Sequence, residues 1–144
     1  MSCEFEVKVR HEPALAYESV VKEVSTSEID EFVRTGIARL RERHQANGRP
    51  FAIYMGCDKE DAQLVEVCLP IDGGSKELPA AEVAYTVARG HQCDYPEILS
   101  AYDAVTRYVT DAGRSFAGPP REIYLTDLET TRELEMQIAF PLAD

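Results

Sequence analysis

One carboxylate stands apart among the side chains that could do chemistry. Glu122 takes the place of Ala52 where two segments of the chain otherwise correspond. On an extended strand Glu122 and Tyr124 point to one side, and Ile123 and Leu125 point to the other. If the side of Ile123 and Leu125 packs against the helices, Glu122 and Tyr124 face the opposite side, where a ligand cleft would lie. A carboxylate among apolar and aromatic groups is costly to ionise unless a cation pairs with it. Glu122 is therefore a candidate cation receptor or general acid/base, with a solvated sheet face as the simpler alternative.

Tyrosine dominates the aromatic residues, with seven Tyr, five Phe and no Trp. Tyrosine rings can stack on a flat or cationic ligand while the hydroxyl binds a polar partner. Each tyrosine taken singly is also consistent with ordinary core packing. As a set, six of them lie on or at the start of elements that we expect to face one another, and we predict that they bind a ligand together with Glu122. These six are Tyr54, Tyr85, Tyr95, Tyr102, Tyr108 and Tyr124.

The cysteines and histidines do not indicate a metal or a cofactor. Zinc sites usually show two close pairs of ligands, and this sequence has no C-x-x-C pair. We therefore expect reduced structural thiols, no metal site and no cofactor. Cys93 follows His91 by two residues, which does not ensure contact, so we do not expect a Cys-His nucleophile. The residues concerned are Cys3, Cys57, Cys68 and Cys93, with His11, His44 and His91.

Charge and hydropathy exclude several classes of function. The chain has 144 residues and a net charge of −11, which argues against direct nucleic-acid binding because phosphate contacts need clustered Lys and Arg. No segment approaches the roughly 18 apolar residues of a membrane span, and the N-terminus has no signal-peptide pattern. We expect a soluble, cytoplasmic protein that does not bind membranes.

Two amphipathic helices and seven short strands are predicted. Apolar residues recur at helical spacing from Ile29 to Leu40 and from Ile98 to Val109. Ser25 or Ser27 is expected to cap the first helix and Asp94 the second. Strand patterns alternate with these helices, which indicates an α+β domain with a mainly antiparallel sheet. The strand segments are 4–10, 14–20, 51–55, 64–69, 81–88, 122–125 and 134–140.

The elements repeat along the chain. Gly48–Tyr54 corresponds to Gly118–Tyr124, and each segment precedes a strand that ends in proline. The chain therefore reads as one domain, 1–144, of two β-α-β-β units, at about 1–71 and 76–144. Two copies related by a pseudo-twofold axis would leave a ligand cleft along their junction.

Motifs along the chain are similar to those of the GyrI-like (gyrase-inhibitor-like) effector-binding domain. This domain also forms the ligand-binding half of multidrug-responsive bacterial transcription activators. Each motif is short, and the resemblance comes from their order and spacing over nearly the whole chain. The motifs are Val65–Pro70, His91–Tyr95, Ala101-Tyr102, Tyr108-Val109, Gly118–Leu125 and Glu135–Pro141.

The resemblance implies a duplicated β-α-β-β fold with a pocket between the copies. In that family the glutamate of a Glu-x-Tyr strand meets lipophilic cations among aromatic rings, and here that position is Glu122. Tyr108 stands where the family often has Trp. The chain departs from the family at Cys93-Asp94, where Gly-Pro often precedes the tyrosine. The family's activators add a DNA-binding region, whereas here the pocket domain begins almost at Met1, so we expect no DNA contact by this chain alone.

Three functions remain open at this stage. The first is a stand-alone binding domain for hydrophobic, cationic or aromatic compounds. The second, implied by other family members, is a hydrolase of cyclopropane-bearing or similar electrophilic toxins that uses Glu122 with a tyrosine, Tyr108 being the candidate. The third is a protein partner such as gyrase, which the family's namesake suggests.

Overall fold

The computed structural model describes residues 5–56, 60–127 and 133–144, and within them it has two α-helices and eight strands. The helices are α1, Ile29–Arg43, and α2, Ile98–Asp111, each preceded by a short 3₁₀ helix, Thr26–Glu28 or Gly90–Cys93. The strands are β1 Lys8–Glu12, β2 Leu15–Ser25, β3 Phe51–Tyr54, β4 Ala62–Pro70, β5 Lys76–Leu78, β6 Ala81–Arg89, β7 Arg121–Tyr124 and β8 Glu135–Pro141.

The chain divides into two compact units. Ala14–Pro79 forms one, and the described residues of Met1–Pro13 and Ala80–Asp144 form the other. Within the first unit the antiparallel strand order is β3-β4-β2-β5, and within the second it is β7-β8-β6-β1. Each unit therefore contains a β-α-β-β segment with the same order of strands, which confirms the predicted α+β fold and its repetition.

In the unit Ala14–Pro79, α1 packs closely on β2 and β4. Its buried residues are spaced as the helical period requires, because Val33, Ile37 and Leu40 share one face. A Cβ atom at Gly36 would lie 3.1 Å from side-chain atoms of both Val20 and Val67. Glycine at this position therefore lets the helix approach the sheet.

In the second unit, α2 packs on β6 and β8 through Ala101, Val105 and Val109. Small residues of β6, Ala84 and Ala88, are fully buried. Since alternate residues of a strand point to opposite faces, Ala84 and Ala88 share one face of β6, and their small side chains leave room for the helix. This packing holds α2 over the sheet to which β7 belongs.

Several details differ from the sequence-based expectations. β1 pairs with β6, so the N-terminal strand lies in the unit formed by the second repeat, and β5 was not predicted. The caps differ in part from the predicted ones, because Glu28 and Glu97 directly precede α1 and α2 and neither makes a side-chain cap. Ser25 is the N-cap residue of the 3₁₀ helix before α1, and its hydroxyl donates to Glu28 Oε1 at 2.7 Å. Asp94 instead accepts the Ile98 N–H through its backbone carbonyl at 2.7 Å. The cleft between the repeats stays a prediction.

Candidate functional site

Glu122 is a buried carboxylate held by two phenol hydroxyls. It lies on β7 with 8% of its surface exposed. The Tyr102 hydroxyl, from α2, donates to Glu122 Oε2 at 2.5 Å, and the Tyr124 hydroxyl donates to Oε1 at 3.4 Å. A short O–H···O distance is typical of a hydrogen bond to an ionised carboxylate. The arrangement therefore suits a negative charge that is kept away from bulk water.

The orientation of β7 is the reverse of the expected one. Glu122 and Tyr124, rather than Ile123, are buried, and Glu122 meets a side chain of α2. The helix-facing side of this strand consequently carries the polar group. Alternation correctly placed Glu122 and Tyr124 on one face, but it could not say which face the helix would cover.

Two phenylalanines extend the aromatic surroundings of Tyr102. The Tyr102 and Phe140 rings meet edge to face, with centroids 6.0 Å apart and an interplanar angle of 87°. Phe116 packs on Phe140 at 4.8 Å between centroids. Sequence reasoning missed both as site residues. Phe140 could have been identified from the alternation of side chains along β8, because it lies on the same face as Ile138, and Ile138 pairs with Glu122 on the neighbouring strand.

Tyr95 and Tyr108 belong to the unit of Glu122 but are exposed. Six residues separate Tyr108 from Tyr102 on α2, which turns the two side chains about 120° apart around the helix axis. Tyr108 and Tyr102 therefore flank the buried stripe of α2 on opposite sides, and it is Tyr102 that reaches the carboxylate. The roles predicted for Tyr95 and Tyr108 stay predictions.

Tyr85 belongs to the unit of Glu122 but lies on another face of the sheet, and Tyr54 belongs to the other unit. Tyr85 pairs with Ala139, whereas Glu122 pairs with the next residue, Ile138, so Tyr85 and Glu122 point to opposite faces of the sheet. The guanidinium carbon of Arg10 lies 4.1 Å from the centroid of the Tyr85 ring. Tyr54 is half-buried on β3 in the unit Ala14–Pro79. Of the predicted tyrosines, the structure brings Tyr102 and Tyr124 to Glu122.

The negative charges around Cys93, including that of Glu122, affect the pKa of its thiol. Its thiol donates to the carbonyls of Ala88, at 3.4 Å, and Leu134, at 3.7 Å. Burial, helped by the negative charges of Asp94, Glu122 and Glu135, raises the pKa of the Cys93 thiol to about 11. Such a thiol stays protonated at neutral pH, which does not suit a nucleophile.

A second buried carboxylate, Glu66 on β4, has a different environment. It is 7% exposed, and its Oε2 accepts from Ser19 Oγ and from Lys76 Nζ, both at 2.7 Å. Because a lysine of the same unit neutralises this charge, we interpret Glu66 as a structural ion pair. At the position that corresponds to Glu122, the unit Ala14–Pro79 has the fully buried Ala52.

A metal-binding cluster and a membrane-spanning helix each place requirements on the described residues. Among the described residues, there is no group of three or more His, Cys, Asp and Glu side chains that could hold a metal ion. Neither helix within the described ranges has the length and apolar character needed to cross a membrane.

The chain is similar to several solved structures. The EcmrR C-terminal domain matches with a TM-score of 0.77 and 19% identity, over 98% of this chain and 99% of that one. SAV2435, in a structure bound to tetraphenylphosphonium, matches with a TM-score of 0.69 and 14% identity, over 96% of this chain and 94% of that one. A hydrolase from Listeria innocua matches with a TM-score of 0.61 and 9% identity, over 96% and 92% of the two chains.

These likenesses show the fold. The chain has the fold of the GyrI-like effector-binding domains found in multidrug-responsive regulators, as the motifs implied. It spans 58% of the length of the EcmrR chain seen in complex with DNA, which it matches at 16% identity. No family model matches the sequence, and no curated protein sequence matches it significantly.

Proposed function

We propose that the protein binds hydrophobic organic cations and that ionised Glu122 supplies the opposite charge. The observation that carries this proposal is the buried carboxylate held by the hydroxyls of Tyr102 and Tyr124. A cation beside such a group is attracted more strongly than it would be in water, because the surroundings screen less. Aromatic rings add cation–π attraction at their faces.

The structural likeness to SAV2435 supports the same class of ligand. SAV2435 was seen bound to tetraphenylphosphonium, which carries one positive charge surrounded by four phenyl rings. The charge of this cation cannot form a directional hydrogen bond. Its binding depends on a desolvated negative charge and on apolar contact, and Glu122 with its aromatic neighbours offers both.

The test is the affinity of the purified protein and of Glu122→Gln for tetraphenylphosphonium, measured by isothermal titration calorimetry. We expect the substitution to weaken binding about tenfold, which is about 1.4 kcal/mol. Triphenylphosphine oxide has similar rings without a net charge, so its binding should change less than twofold. Glu42→Gln, at an exposed position of α1, removes the same charge elsewhere and should leave both affinities unchanged. Equal affinities of wild type and Glu122→Gln for the cation would refute the proposal.

A second candidate function is hydrolysis of a strained electrophile. The observation that favours it is the 2.5 Å contact between Tyr102 and Glu122, which places a proton donor beside a candidate base. Glu122 would take a proton from water as the water oxygen bonds to a cyclopropane carbon. The ring C–C bond breaks, and its electron pair passes to a conjugated carbonyl group, which then gains a proton. The likeness to a structure described as a hydrolase supports testing this reaction.

The reaction is tested by incubating the protein with a cyclopropane-bearing alkylator and following the hydrolysed product by mass spectrometry. Multiple turnovers that Glu122→Gln abolishes would establish the hydrolase. Tyr102→Phe should then slow turnover more than Tyr108→Phe does, because the hydroxyl of Tyr102 contacts the carboxylate. Binding without turnover leaves the first proposal as the function.

A further inference from the structure

We propose that Phe116 is a specificity-determining residue, which favours cations that carry aromatic rings over aliphatic cations of the same charge. This inference rests on the proposed binding function. It identifies a residue outside the elements that the sequence singled out, and it narrows the class of ligand.

The first observation is a continuous series of side-chain contacts that starts at the carboxylate. Glu122 bonds to Tyr102, the Tyr102 ring meets Phe140, and Phe140 meets Phe116. Each step lies within one compact unit of the chain. The series therefore connects a negative charge to successive aromatic surfaces.

The second observation is how exposure changes along this series. Glu122 and Phe140 are 8% and 9% exposed, whereas Phe116 is 39% exposed. An exposed phenylalanine ring keeps apolar surface in contact with water, and a ligand ring that covers it would release that water. Phe116, at the outer end of the series, is thus the most accessible of these three side chains to a ligand.

The third observation is that hydrogen bonds order the backbone around Phe116. It forms an isolated bridge with Leu142. On either side of it, Ala117 N–H donates to Pro141 O at 2.8 Å, and Ala143 N–H donates to Ser115 O at 2.9 Å. A segment whose backbone is already ordered loses little conformational freedom on binding, so more of the contact energy of its side chains contributes to affinity.

Together these features favour a ligand with its charge near Glu122 and aromatic groups that extend toward Phe116. An aromatic ligand ring can stack on the Phe116 ring in an offset or edge-to-face arrangement, and an aliphatic group gains no such ring-to-ring attraction. Phe116 therefore favours ligands that carry aromatic rings, while Glu122 favours ligands that carry a positive charge.

The experiment compares tetraphenylphosphonium with tetrabutylphosphonium, which has the same charge and no rings. We expect Phe116→Ala to weaken tetraphenylphosphonium binding about fivefold and tetrabutylphosphonium binding less than twofold. Phe116→Tyr keeps the ring and should retain both affinities within twofold. Val21→Ala alters an exposed apolar residue of the other unit and serves as the control, with thermal melts to verify the folding of each variant.

The two proposals fail in different ways. If Glu122→Gln leaves both cation affinities unchanged, the binding function itself is wrong. If Glu122→Gln weakens both cations but Phe116→Ala changes both affinities equally, or neither of them, the function stands and the role of Phe116 is refuted. A loss of selectivity in Phe116→Tyr equal to that in Phe116→Ala would also overturn the inference, because the ring is still present in that variant.

Discussion

At the scale of single residues, Glu122 is a buried carboxylate that accepts hydrogen bonds from two phenol hydroxyls. Two phenol hydroxyls point at its carboxylate, one of them at 2.5 Å. Hydrogen bonds to a charged group contribute about 1.5–3 kcal/mol, more than those between neutral groups. Glu66, in contrast, is held by the ammonium group of Lys76. The two glutamates are similarly buried, and their described hydrogen bonds differ in the donors, which are two phenol hydroxyls at Glu122 and a serine hydroxyl with an ammonium group at Glu66.

Tyr102→Phe should destabilise the protein by about 1–3 kcal/mol, because a buried carboxylate loses a charge-assisted donor. Urea unfolding followed by circular dichroism measures the change. Tyr108→Phe removes a hydroxyl from an exposed position on the same helix and should cost less than about 0.5 kcal/mol. Equal effects of the two substitutions would show that the contact between Tyr102 and Glu122 contributes nothing to stability.

Cys93 should react slowly with iodoacetamide at pH 8, because burial and three carboxylates raise its pKa to about 11. Glu122→Gln removes one of those charges and should lower this pKa, so alkylation of Cys93 becomes faster. Mass spectrometry of the Cys93 peptide from about pH 7 to about pH 11 measures the rate, with Glu42→Gln as the control. An unchanged profile in Glu122→Gln would show that this carboxylate does not act on the thiol.

The same thiol has a consequence for stability, because the folded state holds its proton more tightly than the unfolded chain does. This contribution is fully present below 9.0, the ordinary pKa of a solvated thiol, and is lost as the pH rises through the raised pKa of about 11. Unfolding free energies of Cys93→Ser and wild type should accordingly converge over that interval. If the difference in unfolding free energy between the two proteins stays constant as the pH rises from 9.0 to about 11, the raised pKa of Cys93 is wrong.

At the scale of elements, close approach between two backbone segments restricts the residue type at some positions more strictly than hydrophobicity does. A Cβ atom at Gly74 would lie 2.5 Å from the carbonyl oxygen of Tyr17, and backbone atoms cannot move aside as a side chain can. Gly74 also lies between the turn after β4 and strand β5, which pairs with β2. A close contact of this kind was not visible in the sequence.

Gly74→Ala should lower the unfolding free energy by about 1–3 kcal/mol, the range seen when a well-packed site is overfilled. Gly118→Ala is the matched control, because its added Cβ would lie an ordinary 3.6 Å from Pro141. That substitution should be neutral or stabilise the protein by up to about 1 kcal/mol. Thermal and urea melts distinguish the two, and a tolerated Gly74→Ala would contradict the close approach to the Tyr17 backbone.

At the scale of the whole molecule, the order of the chain and the composition of its compact units do not coincide. β1 lies within the predicted first repeat, 1–71, but pairs with β6 of the second, and β5 lies at the start of the predicted second repeat, 76–144, but pairs with β2 of the first. Each repeat thus gains a fourth strand from outside its β-α-β-β segment. The repeats could therefore be read from the sequence, whereas strand β5 and the pairing of the predicted strand 4–10 could not.

Removal of residues 1–12 should therefore affect the unit that contains Glu122. We expect amide exchange on β6 to become at least about tenfold faster, because β6 loses its hydrogen-bonded neighbour. Amides of β4 lie between β2 and β3 and should keep their protection. Hydrogen exchange with mass spectrometry tests this, and faster exchange on β4 alone would mean that β1 belongs to the other unit.

Net charge also belongs to this scale. The value of −11 raises the local concentration of cations around the protein, which agrees with a cationic ligand but does not specify one. The expectations that the chain does not bind DNA directly, and that gyrase is an alternative partner, stay predictions. Neither rests on a contact in the structure.

The sequence by itself determined the class of fold, the repeat and the carboxylate that interrupts it. These depend on periodicity, spacing and residue type, which are local properties of the chain. Three features depended on packing between segments that are distant in the sequence. They are the face of β7 that α2 covers, the contact of Glu122 with Tyr102 instead of Tyr108, and the contacts of Phe116 and Phe140. Alternation establishes that two side chains share a face, but only the tertiary structure decides what lies opposite that face.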